Sequence, residues 1–270
     1  MSTSGSPPLI LLGAQRSGTT ALGAVLDAAF DAVDGVFTIN GKLPYLLHRW
    51  CTEEDVRARH LRADEMLHAL RRRPPYGLRS ERWLATVEGV LREAAADVAA
   101  GSALDAATLR RDLVRRAYAG ATRFGEKYNE YLLELDRLAQ TVPDAHWVLL
   151  VRHPAAVADS MLRWSGDRPW RPGTWEAALD KWAAWHEPWL RHERARDPAR
   201  STVVEYGRLC AGDDLDRLSA VVGLDLAPHA GLLAERPPPE PPRSLPPRIE
   251  RIWQALAGTP HHGDSRSSLR

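Results

Sequence analysis

The sequence predicts an α/β fold with a central parallel sheet, and three observations carry that expectation. Short runs dominated by apolar residues recur along the chain, the clearest being Leu9–Leu12 and His146–Val151, as parallel strands buried on both faces require. Segments with helically spaced apolar residues separate these runs, the alternation that builds a parallel sheet. The first run also feeds a loop bracketed by Gly13 and Gly18 and then a helical pattern. Such a strand–loop–helix junction presents backbone N–H groups and a helix dipole to anions.

Taken in order, residues 1–8 are small and polar and are expected to fray. Leu9–Leu12 is the first strand, and Leu22, Val25, Leu26 and Ala29 set a helix over Thr19–Phe30. Gly35–Ile39 reads as a second strand. Residues 43–121 are mainly helical, interrupted at Pro74-Pro75 and Gly101-Ser102, and are expected to form a cap inserted into the sheet domain. Thr122–Gly125 is a short strand candidate, and Tyr131–Val142 is an amphipathic helix stopped by Pro143-Asp144. His146–Val151 enters a helix after Pro154; Thr174–Arg194, Leu215–Val222 and Arg248–Leu256 are further helices, and Ser201–Tyr206 a further strand. Seven of the eleven residues from Pro237 to Pro247 are proline, the composition of an extended connector. Residues 259–270 read as a mobile polar tail, so the whole chain, 1–270, is expected to be one domain.

Composition narrows the function classes. With 36 basic and 35 acidic residues the net charge is +1, which lacks the electrostatic footprint of a nucleic-acid binder. No apolar run is long enough to span a membrane, and the opening residues have no basic stretch followed by an apolar one. Two cysteines, Cys51 and Cys210, support neither a disulfide framework nor a zinc knuckle. The expectation is a cytoplasmic globular protein with no nucleic-acid or membrane partner. Of the 36 basic residues only Lys42, Lys127 and Lys181 are lysine, the other 33 being arginine. Such a bias is the mark of a GC-rich coding genome, and a surviving lysine is a candidate for chemistry that arginine cannot perform.

The loop Gly13-Ala14-Gln15-Arg16-Ser17-Gly18-Thr19-Thr20 has the G-x-x-x-x-G spacing of a nucleotide P-loop. Thr19 stands where a nucleoside triphosphatase has its lysine, which disfavours a kinase or ATPase. The donors Gln15, Arg16, Ser17, Gly18, Thr19 and Thr20 nevertheless suit an anion; the alternative is a plain tight turn with Ser17 as helix cap. A second segment, VLLVRHPAAVADS, places Arg152 at a strand end, Pro154 at a helix start and Ser160 eight residues after Arg152. The carboxyl end of a parallel strand is where open α/β sheets bind ligands.

RSGTT after an apolar strand, followed 136 residues later by the Arg152–Ser160 segment, resembles the sulfotransferases that use 3′-phosphoadenylyl sulfate (PAPS), in their bacterial form. The resemblance covers roughly 9–30 and 122–210. It implies a metal-independent transfer of a sulfuryl group to the hydroxyl of a small alcohol or phenol, with release of 3′-phosphoadenosine 5′-phosphate (PAP). The loop then holds the 5′-phosphosulfate and Arg152 and Ser160 hold the 3′-phosphate. Tyr206 matches the tyrosine beside the adenine, although Gly207-Arg208 replaces the acidic pair that usually follows. A P-loop nucleotide kinase and a non-catalytic nucleotide sensor are the rival readings.

For the transfer itself the resemblance implies Arg16 on the leaving phosphate and Lys127 on the sulfuryl group. Lys127 lies in Phe124-Gly125-Glu126-Lys127-Tyr128-Asn129, where Asn129 replaces the family's usual proline; a Glu126–Lys127 surface pair is the alternative. The carboxylate that many relatives carry after the second strand is missing from residues 35–42. His48 is then the first candidate for the base, on position and imidazole chemistry, and Glu126 the second. Lys42 reads as a contact to the cosubstrate or an acidic acceptor, or as an exposed helix start. Trp175, Trp182, Trp185 and Trp189 share one helical face, a packing pattern before it is an acceptor wall. No metal-ligand motif occurs, and His261-His262 reads as inert.

Overall fold

The computed structural model describes residues 6–102, 105–165, 171–233 and 244–258. In chain order these form β1 (Leu9–Leu12), α1 (Thr19–Asp31), β2 (Val36–Ile39), α2 (Leu43–Trp50), α3 (Glu53–Arg57), α4 (Ala63–Arg72), α5 (Ser80–Ala100) and α6 (Ala106–Ala117). There follow β3 (Phe124–Lys127), α7 (Leu135–Thr141), β4 (His146–Val151), α8 (Pro154–Leu162), α9 (Trp175–Arg191), β5 (Ser201–Glu205), α10 (Tyr206–Ala211), α11 (Leu215–Val222) and α12 (Pro247–Ala257). The five strands pair in parallel in the order β2-β3-β1-β4-β5.

That order explains where a ligand can enter. From β1 the chain crosses to β2 and β3 on one side, then returns past β1 to β4 and β5 on the other. The connections leaving β1 and β4 therefore diverge, opening a crevice at their carboxyl ends. Alternate side chains of the strands serve opposite faces. Ile10, Leu12, Trp147, Leu149 and Val151 join one buried cluster, and Leu9, Leu11, Val148 and Leu150 the other. The second cluster is sealed by Leu22, Val25 and Leu26 of α1 and by Leu218 and Val222 of α11.

Leu43, Leu47, Met66, Trp83, Leu91 and Leu113, from the helices between β2 and β3, lie in the same cluster as Leu12 and Leu149. These helices thus share the sheet's own core. Trp182, Trp185 and Trp189 also face inward in that cluster, with Trp175 partly buried against it. The expected tryptophan face is a packing face at those positions.

Three local expectations are corrected. The strand expected over Thr122–Gly125 is displaced to Phe124–Lys127, because Phe124–Lys127 supplies the pairing register with both β1 and β2. The single helix over Tyr131–Val142 divides into a 3-10 turn, Asn129–Leu133, and α7. Tyr131 is drawn down to Glu126 by a 2.6 Å hydrogen bond, and Glu134 breaks the run with φ −131°. Tyr206 opens α10 instead of ending β5, since the Glu205 carboxylate accepts from the N–H groups of Gly207 and Arg208. Most of the expected proline-rich connector and all of residues 259–270 fall outside the described residues.

Candidate active site

The loop after β1 turns through two left-handed residues. Arg16 has φ 71° and Gly18, at the cap position of α1, has φ 93°; the cap is Gly18 and not Ser17. A non-glycine residue in this region is uncommon and is held there by its surroundings. Arg16 is held from two sides. Its Nε donates to Ser160 Oγ at 3.0 Å, and its carbonyl accepts from Arg152 Nη1 at 3.3 Å. The Arg152 guanidinium stacks over the Tyr206 ring at 5.3 Å from the centroid, a cation–π contact. That ring in turn occupies the space beside Gly18, where a Cβ would fall 2.3 Å from two ring carbons. The glycine is therefore required twice, by its φ and by the ring against it.

Arg16, Gly18, Arg152, Ser160 and Tyr206 thus form one cluster from the ends of β1, β4 and β5. Within it the Ser17 hydroxyl is fully buried and has no hydrogen-bond partner among the described residues, and Gln15 Oε1 is in the same position. A buried hydroxyl left unpaired is costly, and a bound phosphate oxygen satisfies it. The loop's donors fit an oxyanion on that ground. Thr19 is buried, with Oγ1 3.3 Å from Asn129 Nδ2, whereas Thr20 is exposed on α1.

Lys127 ends β3 and reaches the loop through a residue the sequence did not single out as useful. Its Nζ donates to Asn129 Oδ1 at 2.8 Å, and Asn129 Nδ2 donates to the Gly13 carbonyl at 2.8 Å. A proline at position 129 could make neither bond, so the departure from the family pattern fastens Lys127 to the loop. The ammonium is almost wholly buried. Burial lowers its pKa to about 8, against the opposing pull of Glu130. It is not a surface partner of Glu126, because successive strand residues point to opposite faces.

Glu126 is 1% exposed. Its Oε1 accepts from Tyr131 Oη at 2.6 Å and from the Leu43 N–H at 3.1 Å, and its Oε2 accepts from Tyr118 Oη at 2.9 Å. Burial raises its pKa to about 7 in spite of these bonds. The carboxylate anchors the start of α2, and both its oxygens are engaged. Lys42, also buried, donates to the Arg73 carbonyl at 2.8 Å; its pKa is lowered by burial first and then by Arg73 and Arg72.

His48 does not join the cluster. Its Nε2 donates to the Arg137 carbonyl at 2.7 Å and lies 2.6 Å from Thr141 Oγ1, tying α2 to α7. Burial, with Arg110 nearby, lowers its pKa to about 4. Through these two bonds the imidazole links the two helices. Among the described residues no group of three or more His, Cys, Asp or Glu side chains is placed to hold a metal ion. No helix among them is long and apolar enough to cross a membrane.

Three cations, Arg16, Lys127 and Arg152, thus gather at the carboxyl ends of three neighbouring strands, around a loop rich in N–H donors. A model of the sulfotransferase family matches residues 7–225, and the chain belongs to that family. In structure it resembles the sulfotransferase domain of the Synechococcus PCC 7002 olefin synthase, with a TM-score of 0.59 at 18% identity, over 93% of this chain and 94% of that one. It also resembles the sulfotransferase domain from the curacin biosynthetic pathway, with a TM-score of 0.53 at 16% identity, over 93% of this chain and 98% of that one. Comparison with curated proteins found no match. Family and fold together mark the protein as a transferase.

Proposed function

We propose that the protein transfers the sulfuryl group of PAPS to a hydroxyl of a small-molecule acceptor and releases PAP. One observation carries this reading: the hydrogen bond between Arg16 and Ser160, with Arg152 beside them. It makes one site of the two segments whose resemblance suggested a nucleotide with phosphates at both 5′ and 3′ ends. In this reading the loop donors and Arg16 bind the 5′-phosphosulfate, Arg152 and Ser160 the 3′-phosphate, and Tyr206 the adenine edge.

The chemistry follows from charge. Sulfuryl transfer moves negative charge onto the bridging oxygen of the leaving phosphate, so fixed cations facing that oxygen and the sulfuryl oxygens lower the barrier. Arg16 serves the first and Lys127 the second. Lys127 is buried among fixed dipoles, where a charge acts more strongly than in water. Asn129 and Ser160 hold the two cations in place, which serves the in-line alignment of acceptor, sulfur and leaving oxygen.

The test is a sulfonation assay in the presence of EDTA, with PAPS and a panel of phenols and alcohols, detecting product by a mass gain of one sulfuryl group. Turnover with PAPS and none with ATP supports the reading. Activity that requires ATP and Mg²⁺ would assign a kinase, and PAP binding without turnover on any acceptor would assign a sensor.

A further inference from the structure

A single side chain joins the lysine at the end of β3 to the loop after β1. Lys127 Nζ donates to Asn129 Oδ1 at 2.8 Å, and Asn129 Nδ2 donates to the Gly13 carbonyl at 2.8 Å. The same Nδ2 lies 3.3 Å from Thr19 Oγ1. Gly13 and Thr19 stand 116 and 110 residues away from Asn129 in sequence. Lys127 and Thr19 are buried, and Asn129 is partly buried.

The chemistry of the partners fixes which way the amide faces. An ammonium only donates and a backbone carbonyl only accepts, so Oδ1 must face Lys127 and Nδ2 must face Gly13. The two Nδ2 hydrogens then serve the Gly13 carbonyl and Thr19 Oγ1. Because Thr19 Oγ1 accepts from the amide, its own hydrogen is directed away from Asn129 and is left for an anion in the loop. Lys127 has one of its three hydrogens on Oδ1, the one acceptor it meets among the described residues, and keeps two for a ligand. Linked hydrogen bonds of this kind polarise one another.

Resting on the sulfotransferase reading above, we propose that Asn129 is a positioning residue for the transfer, whose amide sets the Lys127 ammonium and the Thr19 hydroxyl relative to each other. One side chain thereby aims two donors at adjacent groups of one ligand: Lys127 at the sulfuryl oxygens and Thr19 at the 5′-phosphate. Asn129 itself touches no reacting atom in this assignment and acts through its two partners. A proline has no side-chain amide, so the linkage belongs to this chain's own residue at a position where the family usually carries proline.

The experiment uses the full chain with Asn129→Leu and Asn129→Asp, both close to asparagine in size and shape. The chain has three lysines, so NMR of lysine labelled with ¹³C at Cε follows Lys127 by itself. Burial holds its titration at about 8 against the charge of Glu130, and both variants keep those surroundings. Asn129→Leu withdraws an acceptor from the ammonium and should move the titration below that value; Asn129→Asp puts a carboxylate beside it and should move the titration above. Asn129→Leu should also lower kcat with PAPS by about tenfold or more. In a double-mutant cycle, Thr19→Val with Asn129→Leu should weaken PAP binding by at least about threefold less than the product of the two separate losses. A Lys127 titration unmoved in both variants would overturn the proposal, as would an unchanged kcat or losses of affinity that multiply independently. If Asn129→Leu does not fold, Asn129→Asp decides, a raised Lys127 titration with weaker PAP binding supporting the linkage and an unmoved one overturning it. Wild-type protein that neither binds PAP nor turns over PAPS would instead overturn the sulfotransferase reading, a distinguishable result because the Lys127 titrations need no ligand.

Discussion

Arg16 Nε donates to Ser160 Oγ at 3.0 Å across 144 residues of chain. The bond spans the crevice between β1 and β4, so in the proposed reading the loop and α8 present one surface to the nucleotide. A ligand bridging them gains from both sides without paying to assemble them.

The first consequence is selectivity for a 3′-phosphate. PAP should bind about 10²–10⁴-fold more tightly than AMP, since one cation and one hydroxyl at that phosphate contribute charge-assisted bonds of about 1.5–3 kcal/mol each. Arg152→Ala combined with Ser160→Ala should collapse the ratio toward one. Titration calorimetry of both nucleotides, with and without EDTA, checks this, and equal affinities in the wild type would remove the 3′-phosphate assignment.

Lys127 should act through its charge. Lys127→Ala should lower kcat by about 10²-fold or more and change PAP affinity much less, the pattern of a group whose contact strengthens in the transition state. Its lowered pKa, about 8, means that the ammonium is present below that value and lost above it. The kcat/KM for PAPS, which reports the free enzyme, should therefore fall as pH rises through about 8. A profile flat to pH 9.5 would contradict the role.

His48 should be a packing residue. His48→Ala should lower Tm by breaking the link between α2 and α7, with kcat within about threefold of wild type. The His48 imidazole, with a pKa of about 4, should show no titration between pH 5.5 and 8 by NMR. A variant with intact Tm and a kcat reduced by 10²-fold would restore it as a base.

Glu126 should make stability depend on pH. Its pKa is raised from 4.5 to about 7 in the folded state, so the folded protein holds a proton that the unfolded chain releases. That contribution is fully present below about 4.5 and is lost as pH rises through about 7. Glu126→Gln keeps an acceptor and removes the titration. The Tm of wild type relative to this variant should therefore decline between pH 5 and 7.5 and then level off; a constant difference would refute the sign.

Gly18→Ala should disrupt the loop. The added methyl meets the Tyr206 ring at 2.3 Å and requires φ 93° of an alanine, a strain on the order of 1–3 kcal/mol. PAP affinity should fall at least tenfold. Tyr206→Ala in the same chain should restore part of the lost stability without restoring affinity, because it removes the clash together with the cation–π partner of Arg152.

The sequence alone determined the parallel sheet, the loop after its first strand, and the segment carrying Arg152 and Ser160. Each of these is written in local chemistry: apolar runs of strand length, glycines at fixed spacing, and a proline opening a helix. Only the tertiary structure decided which of the candidates meet. Asn129 reads locally as a lost proline, but across the fold it is the link from Lys127 to Gly13. His48 and Glu126 read as bases because a sequence shows chemistry without neighbours; in the fold Arg137 and Thr141 occupy one, and Tyr118, Tyr131 and Leu43 the other. A hydrogen bond or a field between residues a hundred positions apart depends on strand order and helix docking, which only the folded core determines.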